Sequence, residues 1–242
     1  MTAERYRVPV AGGVLALVLH LPRRQPSPCV VACHGLSASK DSDKYLLLGE
    51  ELPAAGLALA RFDFRGCGES SGVEEETTIA TRIEDVETVL TFLGAQPRLD
   101  GRFGLLGSSL GGFVALHAAH RRRARGAYVV VTWNAPAALR DLEGREMSEE
   151  TGLGPALVAE VQAGEHAEAP TGVSHLLVIQ GEADEVVPPA HGQALYARAR
   201  EPRDLHWIPG ADHRLTDRRH RMDAVERSRG WMTKHLGESE PR

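Results

Sequence analysis

The chain has 242 residues, of which 42% are hydrophobic, and this is enough for the buried core of one large domain. A formal net charge of −5, and no apolar run near the roughly 18 residues of a membrane span, predict a soluble cytoplasmic protein without nucleic-acid or membrane partners. The three cysteines are an odd number without a second Cys/His pair at zinc spacing, which argues against a disulfide framework and a metal site.

The first part of the chain alternates between strand-like and helix-like segments. Two strand-like runs flank the turn signal Ala-Gly-Gly at residues 11–13, which predicts an antiparallel hairpin at the N-terminus. Apolar residues recur at steps of three to four from Ile79 to Leu93, as on one face of a helix. The predicted elements are strands at 4–10, 14–21, 28–33 and 57–62, and helices at 79–93 and at 45–55, where Pro53 should end or kink the helix.

The most informative stretch is at residues 107–111, which read Gly-Ser-Ser-Leu-Gly. An apolar strand at 103–106 runs straight into it, and a helix is predicted at 113–120. Because a sharp strand-to-helix turn strains its central residue and exposes that side chain, Ser109 is the predicted nucleophile. A second match to the same pattern, at residues 68–72, has no apolar strand running directly into it and is interpreted as an ordinary turn.

Strands and helices continue to alternate after this motif, which predicts parallel βαβ units in one doubly wound sheet. The remaining predicted elements are strands at 126–133, 175–180 and 204–208, and helices at 190–199 and 219–236. Residues 134–172 are polar and contain several Gly and Pro residues, so we interpret them as a short cap-like excursion within a single domain at 1–242. The residues from Gly237 onward are expected to fray.

Two side chains downstream of Ser109 complete a nucleophile, base and acid. Asp184 follows the strand at 175–180, and His213 follows the strand at 204–208. Functional groups in open α/β sheets collect beyond the carboxyl ends of the strands, so these three side chains should meet on one rim. A serine hydroxyl needs a base to take its proton, and that histidine needs an acid to orient it.

An acyl-transfer site also needs backbone N–H groups that stabilise the oxyanion. The expected donors are the amide of Leu110, directly after the nucleophile, and the amide of Leu36, in the loop after the third strand. Trp133 ends another strand on the same rim, where it either lines the substrate pocket or packs in the core.

The motifs in this order resemble those of the small α/β-hydrolases, in the group of serine esterases, acylaminoacyl-peptidases, serine-aminopeptidase-like proteins and cinnamoyl esterases. The residues that carry the resemblance are His34-Gly35, Asp63-x-Arg65-Gly66-x-Gly68-x-Ser70, Gly107-x-Ser109-x-Gly111, Gly181-x-x-Asp184-x-x-Val187-Pro188 and Gly210-x-x-His213. The resemblance implies the α/β-hydrolase fold, with an N-terminal hairpin and a cap excursion, a Ser-Asp-His triad and hydrolysis of carboxylic esters by water. The excursion is shorter than a full lipase lid, which argues against long-chain lipid substrates.

Other residues of these motifs receive different roles. His34 precedes the nucleophile and is expected to order the oxyanion loop instead of acting as the base. Glu182 is expected to brace its loop, and Asp212 to point away from the neighbouring histidine. For Asp63 and Arg65 we expect a structural role, in which the guanidinium ties a loop near the site through charge-assisted hydrogen bonds.

The sequence therefore predicts a serine hydrolase that cleaves small-molecule esters of small or medium acyl groups without a metal or cofactor. A peptidase, thioesterase or acyltransferase using the same triad stays open, and Glu146, Glu149 and Glu150 would be the carboxylates that bind a peptide amine. A binding protein without catalysis is the alternative from another class. A serine at position 109 argues against enzymes that use an aspartate nucleophile. Whether two copies form a homodimer is left open.

Overall fold

One eight-stranded sheet forms the centre of the computed structural model, which describes residues 2–122, 128–140 and 154–237. The strands lie in the order β1-β2-β4-β3-β5-β6-β7-β8. Their bounds are β1 (Thr2–Val10), β2 (Gly13–Leu21), β3 (Ser27–Cys33), β4 (Ala58–Phe62), β5 (Leu99–Ser108), β6 (Val129–Trp133), β7 (Leu176–Gly181) and β8 (Arg203–Ile208). Every strand predicted from the sequence is present, although β5 begins four residues earlier than expected, and residues 126 and 127 lie outside the described part.

The helices follow the strands as the alternation predicts. Their bounds are α1 (Asp43–Ala54), α2 (Ile79–Gly94), α3 (Leu110–Arg121), α4 (Pro155–Gln162), α5 (Pro189–Arg198) and α6 (Arg218–Gly237), with a short 3₁₀ turn at Glu74–Glu76. Pro53 lies in the last turn of α1, which ends one residue later, as expected where a proline removes a backbone donor. None of the helices in the described ranges is both long and apolar enough to cross a membrane.

Strand direction explains why the site forms at one edge of the sheet. β1 and β2 form the antiparallel hairpin that the turn signal predicts, and β2 pairs antiparallel with β4. The pairs β3–β4, β3–β5, β5–β6, β6–β7 and β7–β8 are all parallel. The loops that follow these six strands therefore emerge at the same edge, where residues far apart in sequence can meet.

Helices cover both faces of the sheet, so its central strands are apolar on both sides. Within β3, Cys29 and Val31 pack in one layer, whereas Val30 and Ala32 pack in the other. The first layer contains apolar residues from α2, α3, α4 and α5, and the second contains those of α1 and α6. This two-sided burial is the reason why these strands appear in the sequence as short continuous apolar runs.

The excursion between β6 and β7 is anchored on helix α2, although its residues 141–153 lie outside the described part. The Glu160 carboxylate on α4 accepts hydrogen bonds from the backbone amides of Ile79 at 2.6 Å and Ala80 at 3.0 Å. A carboxylate there satisfies orphan amides and complements the positive end of the helix macrodipole. The described part of the excursion is therefore held on the body of the protein.

Candidate active site

The turn between β5 and α3 places Ser109 in a strained conformation. Its backbone has φ 55° and ψ −129°, values that a non-glycine residue rarely adopts, and strain of this kind is worth about 1–3 kcal/mol. The Ser109 amide donates to the carbonyl of Trp133 at 2.8 Å, which fixes the turn to the end of β6. The side chain remains partly exposed at the rim.

The two glycines of the motif are required by close backbone contacts. A Cβ on Gly107 would overlap the carbonyl oxygen of Gly111, and a Cβ on Gly111 would overlap that of Cys33. Because each contact is with backbone, no side-chain rotation can relieve it. The first turn of α3 thus packs directly against the end of β3.

The structure brings Ser109, Asp184 and His213 into one hydrogen-bonded line. His213 Nε2 lies 3.0 Å from Ser109 Oγ, and His213 Nδ1 lies 2.9 Å and 3.0 Å from the two carboxylate oxygens of Asp184. Since Nδ1 faces a carboxylate, it carries the proton and donates, and Nε2 is left to accept the serine proton. This is the geometry that general-base activation of a hydroxyl requires.

Asp184 is held by other donors besides the histidine. Its Oδ1 accepts from the amides of Val186 at 2.9 Å and Val187 at 2.7 Å, and its Oδ2 accepts from Gln180 Nε2 at 3.3 Å. The side chain is fully buried. These bonds fix the orientation of the carboxylate toward the imidazole.

His34 ties the loop after β3 to the loop after β4. Its Nε2 accepts from the Phe64 amide at 3.1 Å, so its Nδ1 carries the proton and donates to the Gly35 carbonyl at 2.7 Å. Burial lowers the pKa of His34 to about 4, and the imidazole is neutral near pH 7. His34 therefore orders the loop after β3 and lies outside the line formed by Ser109, His213 and Asp184.

The loop that carries Leu36 lies against Ser109. A Cβ on Gly35 would lie 3.1 Å from both Ser109 Cβ and the Ser108 carbonyl oxygen. Leu110 is the first residue of α3, where helix geometry leaves an N–H without a partner inside the helix. The two amides expected to bind an oxyanion thus belong to adjoining segments beside Ser109.

Lys44, on helix α1, contacts the turn between β5 and α3, which we call the elbow. Its Nζ donates to Ser108 Oγ at 2.7 Å. Burial, with smaller effects from the charges of Arg214 and Arg221, lowers the pKa of Lys44 to about 8. The first turn of α1 is thereby bonded to the residue that precedes Ser109.

Asp63 and Arg65 form the structural ties that the sequence suggested, although not with each other. Asp63 accepts from the amide of Lys40 at 2.7 Å and from its Nζ at 2.9 Å. Arg65 Nε donates to Asp85 at 2.6 Å, and Arg65 Nη2 donates to Glu84 at 3.1 Å. Both residues hold the loop after β4, and neither reaches the triad.

The burial of Trp133 corrects the expectation that its side chain lines the substrate pocket. Its side chain is fully buried in the layer of α1 and α6, and its Nε1 donates to Ser228 Oγ at 2.9 Å. The structure supports the packing alternative, because strand alternation directs this side chain to a covered face. The residue that follows it, Asn134, points its side chain toward the rim instead.

The acidic neighbours of the triad have other partners. Asp212 Oδ1 accepts from the amide of Thr216 at 2.7 Å, and Glu182 is exposed on its turn. Glu146, Glu149 and Glu150, the carboxylates of the peptidase alternative, lie outside the described residues. Within the described ranges, no group of three or more His, Cys, Asp or Glu side chains is arranged to hold a metal ion.

Asn134 follows a strand end on the rim in the sequence, but no role was predicted for it or for Gln180. Gln180 donates to Asp184 and to the Val187 carbonyl, and Asn134 contacts the loop of His213. Both are fully buried amides at the carboxyl ends of apolar strands. That position was a usable signal, since a buried polar side chain must find partners nearby.

Comparisons with known proteins assign the chain to a family. Residues 24–147, about half of the chain, match the family described as serine aminopeptidase, S33. The uncharacterized protein YfhR of Escherichia coli K12 is 28% identical over 163 residues, which cover 67% of this chain and 55% of YfhR. The human mitochondrial palmitoyl-protein thioesterase ABHD10 is 35% identical over 96 residues, which cover 40% of this chain and 30% of the relative. The matched region is thus about half, or less, of each curated relative.

Solved structures share the whole fold. Est1E from Butyrivibrio proteoclasticus with bound ferulic acid has a TM-score of 0.80 at 19% identity, covering 96% of this chain and 100% of that one. Mouse α/β hydrolase domain-containing protein 10 has a TM-score of 0.79 at 20% identity, covering 96% and 99%. An α/β serine hydrolase without lid from Xanthomonas campestris has a TM-score of 0.71 at 23% identity, covering 98% and 96%. With the family match and this architecture, the chain belongs to the serine aminopeptidase S33 family of α/β-hydrolases.

Proposed function

We propose that this protein is a serine hydrolase that cleaves carboxylic esters of small or medium acyl groups through an acyl-enzyme. The observation that carries the proposal is the position of the His213 imidazole, with Nε2 at 3.0 Å from Ser109 Oγ and Nδ1 at 2.9 Å from Asp184. A bound small-molecule ester is the substrate, and the side chains and amides of this chain carry every step.

The first half of the reaction forms the acyl-enzyme. Ser109 Oγ attacks the acyl carbon while His213 Nε2 takes its proton, and the ester carbonyl becomes an oxyanion. Asp184 stabilises the imidazolium through the Nδ1 proton. His213 then delivers the proton to the leaving alcohol as the bond from the acyl carbon to that oxygen breaks.

The second half repeats these steps with water. His213 takes a proton from the water, whose oxygen attacks the acyl carbon, and the same proton then returns to Ser109 Oγ as the acid product leaves. The free enzyme is restored with its original protonation.

The oxyanion is stabilised in both halves by the amides of Leu36 and Leu110. Gly35 packs on Ser109, and Leu110 begins the helix that follows it, so both amides border the reacting carbon. Removing one such donor from an acyl-transfer site typically costs about 2.7–4 kcal/mol of transition-state stabilisation.

A thioesterase is the second candidate. ABHD10 is named a palmitoyl-protein thioesterase, whereas Est1E binds ferulic acid, and the same triad serves both bond types. The small-to-medium acyl range is supported by the shortness of the excursion, which spans residues 134–172 and carries one described helix, α4, held on α2 by Glu160.

A substrate panel tests the proposal. Nitrophenyl esters from acetate to palmitate, matched acyl thioesters and aminoacyl nitroanilides are compared by kcat/KM with purified protein and with Ser109→Ala as the blank. The highest values are expected for the acetate-to-octanoate esters. A preference of tenfold or more for thioesters makes the second candidate the function, and hydrolysis of nitroanilides alone contradicts esterase activity.

A further inference from the structure

Asn134 lies at the carboxyl end of β6, and its side chain is 1% exposed. Its backbone φ of 50° is in the left-handed region, which asparagine tolerates better than most residues. The backbone amide donates to the carbonyl of Ile179 at 2.9 Å, which continues the pairing of β6 with β7 beyond the strand. The residue is therefore fixed at both its backbone and its side chain.

The side-chain amide bonds to two different loops of the rim. Nδ2 donates to the carbonyl of His213 at 2.8 Å and to that of Asp212 at 3.2 Å. Oδ1 accepts from the amide of Gly181 at 2.8 Å. One buried side chain thus connects the loop that carries the triad histidine to the last residue of the strand that leads to Asp184.

Backbone bonds hold the start of the His213 loop, where the Ala183 amide donates to the Ala211 carbonyl at 3.0 Å, and the bonds of Asn134 hold the next two residues. The amide of His213 has a longer bond of 3.4 Å to Glu185, and Asp212 bonds within its own loop to Thr216. Catalytic groups must be held within about 0.5 Å of their productive position by packed neighbours. Asn134 anchors the carbonyls of Asp212 and His213 to the end of β6, which meets this requirement for a histidine that lies on a loop.

We propose that Asn134 is a positioning residue, which holds the backbone of His213 against the end of β7 so that its imidazole reaches Ser109 and Asp184 together. The inference rests on the proposed function of the triad. Only an amide suits the site, because the three partners comprise two carbonyl acceptors and one N–H donor. Aspartate keeps the bond to Gly181 but directs oxygen at two carbonyls, whereas glycine fits the φ and makes none of the bonds.

Three variants separate positioning from stability. Asn134→Gly and Asn134→Asp remove the bonds to the His213 loop. Ser228→Ala is the matched control, because it removes the partner of Trp133 Nε1, a buried hydrogen bond at the same strand end that leads to α6. All three should lower the unfolding midpoint. We expect only the Asn134 variants to lower kcat, by about 10- to 100-fold with little change in KM, as for a displaced catalytic group.

A measurement independent of turnover keeps the test decisive. The His213 Nδ1 proton, assigned by its loss in His213→Gln, is followed by NMR in each variant. A positioning role predicts that the signal of this proton is retained in Ser228→Ala and lost or broadened in Asn134→Gly. If the glycine variant does not fold, the same loss is looked for in Asn134→Asp. The inference is wrong if the wild-type signal and kcat persist in the Asn134 variants. If the wild-type protein hydrolyses no ester or thioester, the proposed function fails, while the NMR comparison still decides the role of Asn134.

Discussion

Two segments of this chain share the pattern Gly-x-Ser-x-Gly, at residues 107–111 and 68–72, and the structure gives them different surroundings. Ser109 and Ser70 are both partly exposed. Ser70 Oγ donates to the Asp63 carbonyl at 2.6 Å and accepts from the Ala16 amide at 2.8 Å, so its hydroxyl serves the backbone. Ser109 Oγ instead faces His213, at the start of a helix. The two serines share the pattern and the partial exposure, so the strand-to-helix context of Ser109 and its contact with His213 are what support it as the proposed nucleophile.

The largest expected difference between the two segments is in turnover. We expect Ser109→Ala to abolish hydrolysis of nitrophenyl butyrate, because it removes the hydroxyl that lies 3.0 Å from His213 Nε2. Ser70→Ala should keep activity and lose about 1 kcal/mol of stability with its bond to Asp63. Steady-state kinetics and urea unfolding of both variants test this. An equal loss of activity in Ser109→Ala and Ser70→Ala would contradict the assignment of Ser109 as the nucleophile.

The second-largest expected effect concerns Asp184, the proposed acid that orients the His213 imidazole. Asp184→Asn should lower kcat by about 10⁴, since an amide no longer favours the Nδ1–H tautomer or stabilises the imidazolium. Asp212→Asn, beside the same histidine, keeps its oxygen for the Thr216 amide and is expected to be active. If the Asp212 variant has the larger loss in kcat, the assignment of the acid is wrong.

The third comparison uses one glycine from each segment. A Cβ on Gly111 overlaps backbone of Cys33 and His34, whereas a Cβ on Gly72 meets nothing closer than 3.3 Å and suffers only from its φ of 105°. We expect Gly111→Ala to cost about 3 kcal/mol and Gly72→Ala about 1 kcal/mol. The free energy of unfolding in urea measures both, and a reversed order would contradict the packing described for the elbow.

The last prediction concerns pH and involves His34, whose bond to the Phe64 amide joins the loop after β3 to the loop after β4. Its pKa in the folded protein is lowered to about 4, below the ordinary value of 6.5. As the pH falls, the unfolded chain therefore protonates His34 before the folded protein does. The free energy of unfolding decreases from about pH 6.5 to 4, by at most about 1.4 kcal/mol per pH unit. His34→Gln should show a flatter dependence of unfolding free energy on pH, and an unchanged slope would exclude His34 as its source.

Much of this arrangement could be predicted because it depends on local signals. The apolar run ending at Leu106, the glycines around Ser109 and the strand ends before Asp184 and His213 all act over a few residues. The parallel sheet then brings these ends together without further information.

The remaining features depend on contacts between distant residues. Glu160 caps a helix that begins 81 residues earlier, and Arg65 pairs with Asp85 instead of its motif neighbour Asp63. Trp133 could not be assigned to a face, because a strand with apolar residues on both sides has no pattern that distinguishes them. Asn134 was visible as a polar residue after that strand, but its partners became known only from the fold.

The most direct test of the central claim is mass spectrometry of the protein after reaction with a fluorophosphonate probe. The account predicts one adduct per chain, on the peptide that contains Ser109, and much slower labelling in Asp184→Asn. An adduct on the peptide that contains Ser70, or no adduct with the folded wild-type protein, would contradict it.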